Sequence, residues 1–292
     1  MKIGIVYPQT EYGGDPIAIR DFAQTAEDLG FTHIVAYDHV LGANPNRPGG
    51  WDGPYTHESA FQEPFVLFSY MAAVTERIEF FPGVVILPQR QTALVAKQAA
   101  CLDVLSRGRL RLGVGIGWNA VEYEALAQDF RRRGKRIEEQ IALMRALWTS
   151  PLVTFKGAWH TVSDAGLNPL PIQRPIPIWF GGDAERALRR MAHLGDGWLT
   201  TSRSPQEAKP ALETLRRFLR EAHRDSSSFG IEAPVTYSEG GPKEWLSLAR
   251  AWEAVGVTCL SLNTMEAGLI APIMHLAAMR EFAHAMGLSR SG

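Results

Sequence analysis

One local pattern recurs along the chain: a helix-periodic run, a glycine, and then a short β-branched or aromatic run. It occurs at Leu29-Gly30-Phe31, Ser106-Arg107-Gly108-Arg109, Leu194-Gly195-Asp196-Gly197-Trp198 and Val255-Gly256-Val257. Each glycine suits the left-handed position that ends a helix, where a side chain has a steric cost. The pattern predicts strands near Ile3–Tyr7, His33–Tyr37, Ile78–Ile86, Leu110–Val114, Ile178–Phe180, Gly197–Thr200, Gly230–Thr236 and Thr258–Leu262, with helices between most of them. Strands that alternate with helices require right-handed parallel crossovers, and eight such units in roughly 250 residues is the length of a closed α/β (β/α)8 TIM barrel. An open doubly wound sheet is the competing architecture.

A chain of 292 residues that is 46% apolar can bury a barrel-sized core, so one domain is expected over 1–292. Thirty Lys and Arg balance 31 Asp and Glu without a polybasic run, which leaves no electrostatic footprint for nucleic acid or an anionic membrane. Small molecules are the expected partners. Cys101 and Cys259, both in apolar surroundings, read as reduced thiols of a cytoplasmic protein. The opening Met1-Lys2-Ile3-Gly4-Ile5-Val6-Tyr7-Pro8 is too short for a signal peptide or a membrane span and reads as the first strand.

Two stretches interrupt the repeat. Between Thr149 and Ile178, the segment Phe155–Thr161 and the proline-rich Asn168–Pro177 fit neither period and form an insertion before strand five, read as a hairpin with an extended tail. Leu41–Gln62 carries Pro45, Pro48, Gly49, Gly50, Trp51, Gly53, Pro54 and Tyr55. In a barrel that loop follows strand two and sits at the C-terminal mouth, where ligands bind.

Arg109 to Glu124 resembles a nucleotide fingerprint but departs from it. Gly113, Gly115 and Gly117 alternate instead of taking the G-x-G-x-x-G spacing, and the downstream Glu138-Glu139 pair lies inside a helical run. As a fourth barrel strand, the three glycines thin the backbone so that a planar ring can lie against it. Strand two ends in Asp38-His39, where a carboxylate beside an imidazole can fix its tautomer and raise its basicity. The alternative is that Asp38 caps a turn and His39 packs against it. Strand five runs through Gly181-Gly182 into a helix, where bare amides make an anion site. Asp183 complicates that site, since it can cap the helix and would repel phosphate; Arg186 can offset it, and Thr200, Thr201 and Ser202 can add hydroxyls. His57 and His160 have no partners at metal-ligand spacing, so no metal is expected, although a hydrolase site built from Asp38, His39 and His57 is the competing idea. The Arg131-Arg132-Arg133 run reads as a solvated helix face, and Trp148 and Trp252 as core.

Asp38-His39, Gly83-Val84-Val85-Ile86-Leu87-Pro88, Ala96–Leu105, Gly108–Trp118, Asn168–Pro177, Ile178–Gly182 and Gly195-Asp196-Gly197-Trp198 together resemble the bacterial luciferase-like superfamily, and most closely its branch that uses the deazaflavin coenzyme F420. The similarity spans roughly residues 1–205. It implies a hydride-transferring oxidoreductase acting on a small organic substrate, with the coenzyme at the C-terminal mouth. The same resemblance makes His39 a proton donor, acceptor or stabiliser oriented by Asp38, and places a non-proline cis peptide in the Gly83-Val84-Val85 region beside the ring. Gly181 and Gly182 would then hold the coenzyme phosphate. Gly115, Gly117, Trp118, Thr200 and Thr201 complete the expected coenzyme site, and Tyr7, Trp51 and Tyr55 the substrate pocket. Trp51, Tyr55 and Trp118 at the mouth favour a flat or apolar substrate. Relatives pair through the helices after strands two and three, so a homodimer is expected.

One departure matters. Sugar and alcohol dehydrogenases of the F420 branch carry a glutamate just after the strand-four glycines, whereas this chain has Trp118-Asn119; Glu122 is a helical turn away and is not an obvious substitute. A reductase or oxygenase gains accordingly. The alternatives are an FMN-dependent monooxygenase of the same superfamily, a non-catalytic flavin-binding relative, or an unrelated barrel hydrolase.

Overall fold

The computed structural model describes residues 1–289; positions 290–292 of the expected domain lie outside the described residues. Parallel strands covered on both faces are short and nearly all apolar, and such runs form the barrel. Hydrogen-bonded neighbours follow the order Glu79–Pro82, His33–Ala36, Lys2–Val6, Cys259–Asn263, Gly230–Thr236, Gly197–Leu199, Ile178–Gly181, Leu112–Gly115, Val85–Ile86. The first and last of these nine segments are two halves of one strand, so the barrel has eight. The ring closes where Phe80 bridges Leu110, with Arg111 N–H donating to the Phe80 carbonyl at 3.0 Å.

The expected strand Ile78–Ile86 is therefore broken in the middle, at the Gly83–Val84 peptide, which is cis. The insertion before strand five is an antiparallel hairpin of Val153–Lys156 and Thr161–Ala165. Glu139, on the Arg133–Thr149 helix, anchors it by accepting the N–H groups of Ala158, Trp159 and His160.

Helix boundaries follow local chemistry. Pro16, Pro64, Pro205, Pro242 and Pro272 each open a helix, where the missing N–H is not needed. Gly30, Gly108 and Gly256 have positive φ, as expected of helix ends, but Gly195 is extended. Its requirement is space, since a Cβ there would lie 2.8 Å from the Phe180 ring.

Strand alternation sends Ile3, Ile5, Ile34 and Phe80 outward against the helices, where Phe22, Phe68, Trp148, Phe218, Trp252 and Phe282 are fully buried. Burying a side chain of this kind is worth about 1.5–3 kcal/mol. The inward positions form a separate cluster containing Val6, Val35, Phe81, Trp179 and Cys259. A buried ionic group runs through it. Arg111 lies between the Phe81 and Trp179 rings, 4.2 Å from each centroid, with Nη2 3.1 Å from Glu232 Oε2; Glu232 Oε1 is 2.7 Å from His33 Nε2. Burial pushes the Glu232 carboxyl up, but His33 and Arg111 outweigh it and bring its pKa down to about 2. Cys259 and Cys101 are free thiols. Among the described residues no helix is long and apolar enough to cross a membrane.

Candidate active site at the barrel mouth

The ends of strands two to six surround a cleft of ≈ 430 Å³. A groove of ≈ 500 Å³ lies on the outer surface, lined by Glu138 and by Arg186, Arg189, Arg190 and His193 of the Glu185–Leu194 helix, away from the strand ends. The mouth is where a barrel gathers reactive side chains, and it is there that most of the sequence candidates converge.

Val84 forms the floor. Its side chain lies across Gly115 and Gly181: a Cβ at Gly115 would stand 2.5 Å from Val84 Cγ2, and one at Gly181 3.2 Å from Val84 Cγ1. These glycines make room for Val84, and the resulting surface is one apolar side chain on bare backbone. Gly117, at positive φ, faces Ile86. Gly113 belongs to the barrel wall instead, because a Cβ there would lie 1.9 Å from the Pro82 carbonyl oxygen. Val85, beside Val84, points the other way into the core and does not reach the cleft.

Asp38 and His39 part company. Successive residues at a strand end point to opposite sides, so Asp38 turns away from His39 toward Arg90: Oδ1 takes a hydrogen bond of 2.8 Å from Arg90 Nη2, and Oδ2 one of 3.0 Å from the Ile86 N–H. Burial pushes the Asp38 carboxyl up, against the pull of Arg90 and the Ile86 N–H. The expectation that Asp38 orients His39 is therefore corrected. Glu122 does so, with Oε1 3.2 Å from His39 Nδ1, while the same carboxylate accepts the Val40 and Leu41 N–H groups and, through Oε2, a hydrogen bond of 3.1 Å from Gln89 Nε2.

The sequence Trp118-Asn119, which stands where relatives carry an acid, delivers this carboxylate by another route. Asn119 Oδ1 accepts the N–H groups of Val121 and Glu122 and caps the helix Ala120–Ala125. Glu122, three residues after the cap, swings to the back of His39. That Asn-x-x-Glu spacing is a helix-start signature and was the available signal for Glu122. Nothing comparable in the sequence marks Gln89 or Arg90.

At the strand-five edge, Gly182 has positive φ and the Glu185–Leu194 helix begins at Ala184 with no side-chain cap. Asp183 does not cap it. The carboxylate accepts the Thr201 hydroxyl at 2.7 Å and the Thr200 hydroxyl at 3.4 Å, leaving the first helical amides open. Thr201 borders the cleft, whereas Thr200 is buried behind it and accepts the Ser202 N–H.

Aromatic rings make the strand-two rim. His39 sits 4.8 Å from the Tyr55 and Phe61 centroids and 5.9 Å from that of Trp118. Tyr55 and Trp118 line the cleft, and Trp51 stacks on the far side of Trp118 at 5.7 Å. Tyr7 is elsewhere. It continues the outward alternation of Ile3 and Ile5 and packs edge-on against Tyr12 and Phe22 in the core. His57 borders the same side chamber as His39 and lies near Glu58, whereas Asp38 is taken up by Arg90; among the described residues no three His, Cys, Asp or Glu side chains group as metal ligands.

The chain is similar to known proteins in sequence and in fold. An uncharacterized protein of Mycobacterium tuberculosis is 36% identical over 70% of this chain and 72% of its own length. F420-dependent glucose-6-phosphate dehydrogenase of Gordonia bronchialis is 27% identical over 88% of this chain and 75% of that one. Among solved structures, an F420-dependent secondary alcohol dehydrogenase in complex with an F420-acetone adduct superposes with a TM-score of 0.81, 18% identity and 99% coverage of both chains. The family model described as luciferase-like monooxygenase matches residues 1–263, and the chain belongs to that family of oxidoreductases.

Proposed function

We propose that the protein uses the deazaflavin coenzyme F420 at the barrel mouth to move a hydride to or from a small organic substrate. The observation that carries this reading is the His39–Glu122 pair at the edge of a cleft floored by Val84 and glycine backbone. The extended similarity to an F420-dependent enzyme favours F420 over FMN. When bound, the deazaflavin supplies two-electron hydride transfer.

The chain's own residues do the rest. Val84, Gly115 and Gly181 seat a planar ring, and the open amides at the start of the Glu185–Leu194 helix suit a phosphate. Because an ionised carboxylate only accepts, His39 Nδ1 carries a proton toward Glu122, and Nε2 is the nitrogen free to exchange a proton with a substrate oxygen or nitrogen. Glu122 is turned to the back of His39, and the proton therefore passes through the imidazole. In an anaerobic assay with reduced F420, His39→Ala is expected to lower turnover by roughly 10² with little change in coenzyme affinity. Unchanged turnover removes His39 from the chemistry. The family's monooxygenase name motivates the second reading, which turnover only with reduced FMN and oxygen would establish.

A further inference from the structure

The rim that holds His39 also bounds a second space. A chamber of ≈ 240 Å³ shares His39, Tyr55 and Trp118 with the cleft and is completed by Phe61, His57 and Asn119 among others. Its wall is built from rings in edge contact, Tyr55 lying 4.7 Å from Phe61 and both 4.8 Å from His39. The loop that carries them is folded tightly. Trp51 Nε1 donates to the Tyr55 carbonyl at 2.7 Å, Ala43 bridges Thr56, and a Cβ at Gly53 would lie 2.3 Å from Trp51 and 3.0 Å from Trp118. Trp118 nevertheless remains 47% exposed, an apolar face with a preformed place beside it.

Charge narrows the occupant. No lysine or arginine lines either the cleft or the chamber. The nearby Arg90 is committed to Asp38 and Glu63, with bonds of 2.8 Å to each. The open helix start at Ala184 belongs to the strand-five edge, across the cleft from this wall. A phosphate or carboxylate on the substrate would meet no fixed cation here, only the imidazoles of His39, already engaged by Glu122, and His57, beside Glu58, so its lost hydration would be poorly replaced.

We propose that the chamber takes the substrate, and that the substrate is an uncharged planar aromatic or heteroaromatic molecule. One ring packs on the His39–Tyr55–Phe61 wall and against Trp118, with a polar edge within reach of the free His39 nitrogen. The assignment of this ligand as the substrate rests on the oxidoreductase reading above; the binding chemistry rests on the chamber alone.

Indole and 2-naphthol serve as uncharged probes, glucose 6-phosphate as an anionic one and choline as a cationic one, each titrated calorimetrically into the apoprotein and into the F420-treated protein. The uncharged rings are expected to bind both preparations at least about tenfold more tightly than glucose 6-phosphate, and more tightly than choline, the probe for the alternative in which the aromatic wall holds a cation. Phe61→Ala, and Phe61→Leu as a variant that keeps apolar volume, should weaken ring binding by about three- to tenfold while leaving coenzyme affinity unchanged, the usual worth of an aromatic edge contact. Tighter binding of glucose 6-phosphate or choline overturns the proposal, as does undiminished ring binding in both folded variants. Ring binding to the apoprotein alongside absent F420 affinity would sink the coenzyme reading and leave the chamber assignment standing.

Discussion

Glu122 Oε1 lies 3.2 Å from His39 Nδ1, joining two residues 83 positions apart in the chain at the edge of the cleft. Burial pushes the Glu122 carboxyl up, but hydrogen bonds from His39, Gln89 and Leu41 outweigh it and hold its pKa below the ordinary carboxylate range. A carboxyl lowered in the folded state contributes stability that is present above its unfolded pKa and lost as pH falls through the folded value. Glu122→Gln is therefore expected to cost about 1–3 kcal/mol at pH 7, with the difference from wild type closing below about pH 4, where the unfolded carboxyl titrates. Urea denaturation across that range checks it. A difference that stays constant down to about pH 3 contradicts the ionised pairing.

Arg111 is held inside the barrel by two aromatic rings and by Glu232. Removing one partner of a buried ion pair leaves the other charge uncompensated, and Arg111→Met is expected to destabilise by about 3–5 kcal/mol at neutral pH. With the Glu232 pKa near 2, the stability it supplies is lost only as the pH falls toward that value. A denaturation midpoint indistinguishable from wild type would remove the pair from the barrel's stability.

The barrel was legible because its evidence is local and repeated: glycine at helix ends and short apolar strands each occur several times. The candidate site was legible where it follows strand ends, as at His39, Gly181 and Gly182. Partnership was not. Asp38 is the sequence neighbour of His39, yet strand geometry turns it to Arg90, and the carboxylate beside the His39 ring is that of Glu122. Tyr7 and Val85 misled for a related reason, since alternation at a strand end depends on the register of one residue, and both fall on the core face.

The close approach of strands three and four at Gly113 is separable from the cleft at the mouth. Gly113→Ala places a Cβ 1.9 Å from the Pro82 carbonyl oxygen, a backbone atom that cannot move alone. Overpacking of this kind costs about 1–3 kcal/mol or more. Gly14→Ala is the control, because nothing lies within 4 Å of its added Cβ. Thermal denaturation should show a clear loss for the first and a shift within error for the second; equal stability of the two would mean that Gly113 does not set the strand spacing.

The helix start beside Gly182 is open because Asp183 is engaged by Thr201. Thr201→Val is expected to free Asp183 to approach the helical amides and to weaken binding of a phosphate-bearing coenzyme by about tenfold, roughly the loss of one charge-assisted hydrogen bond. Equilibrium titration of wild type and variant with the same coenzyme checks this. Equal affinities would place the phosphate elsewhere.

Which coenzyme the mouth accepts is read by titrating the apoprotein in parallel with F420 and with FMN, each followed by its own fluorescence. Saturable one-to-one binding of F420, with FMN at least about a hundredfold weaker, is the expected result. Tight binding of FMN with no measurable affinity for F420 would contradict the account.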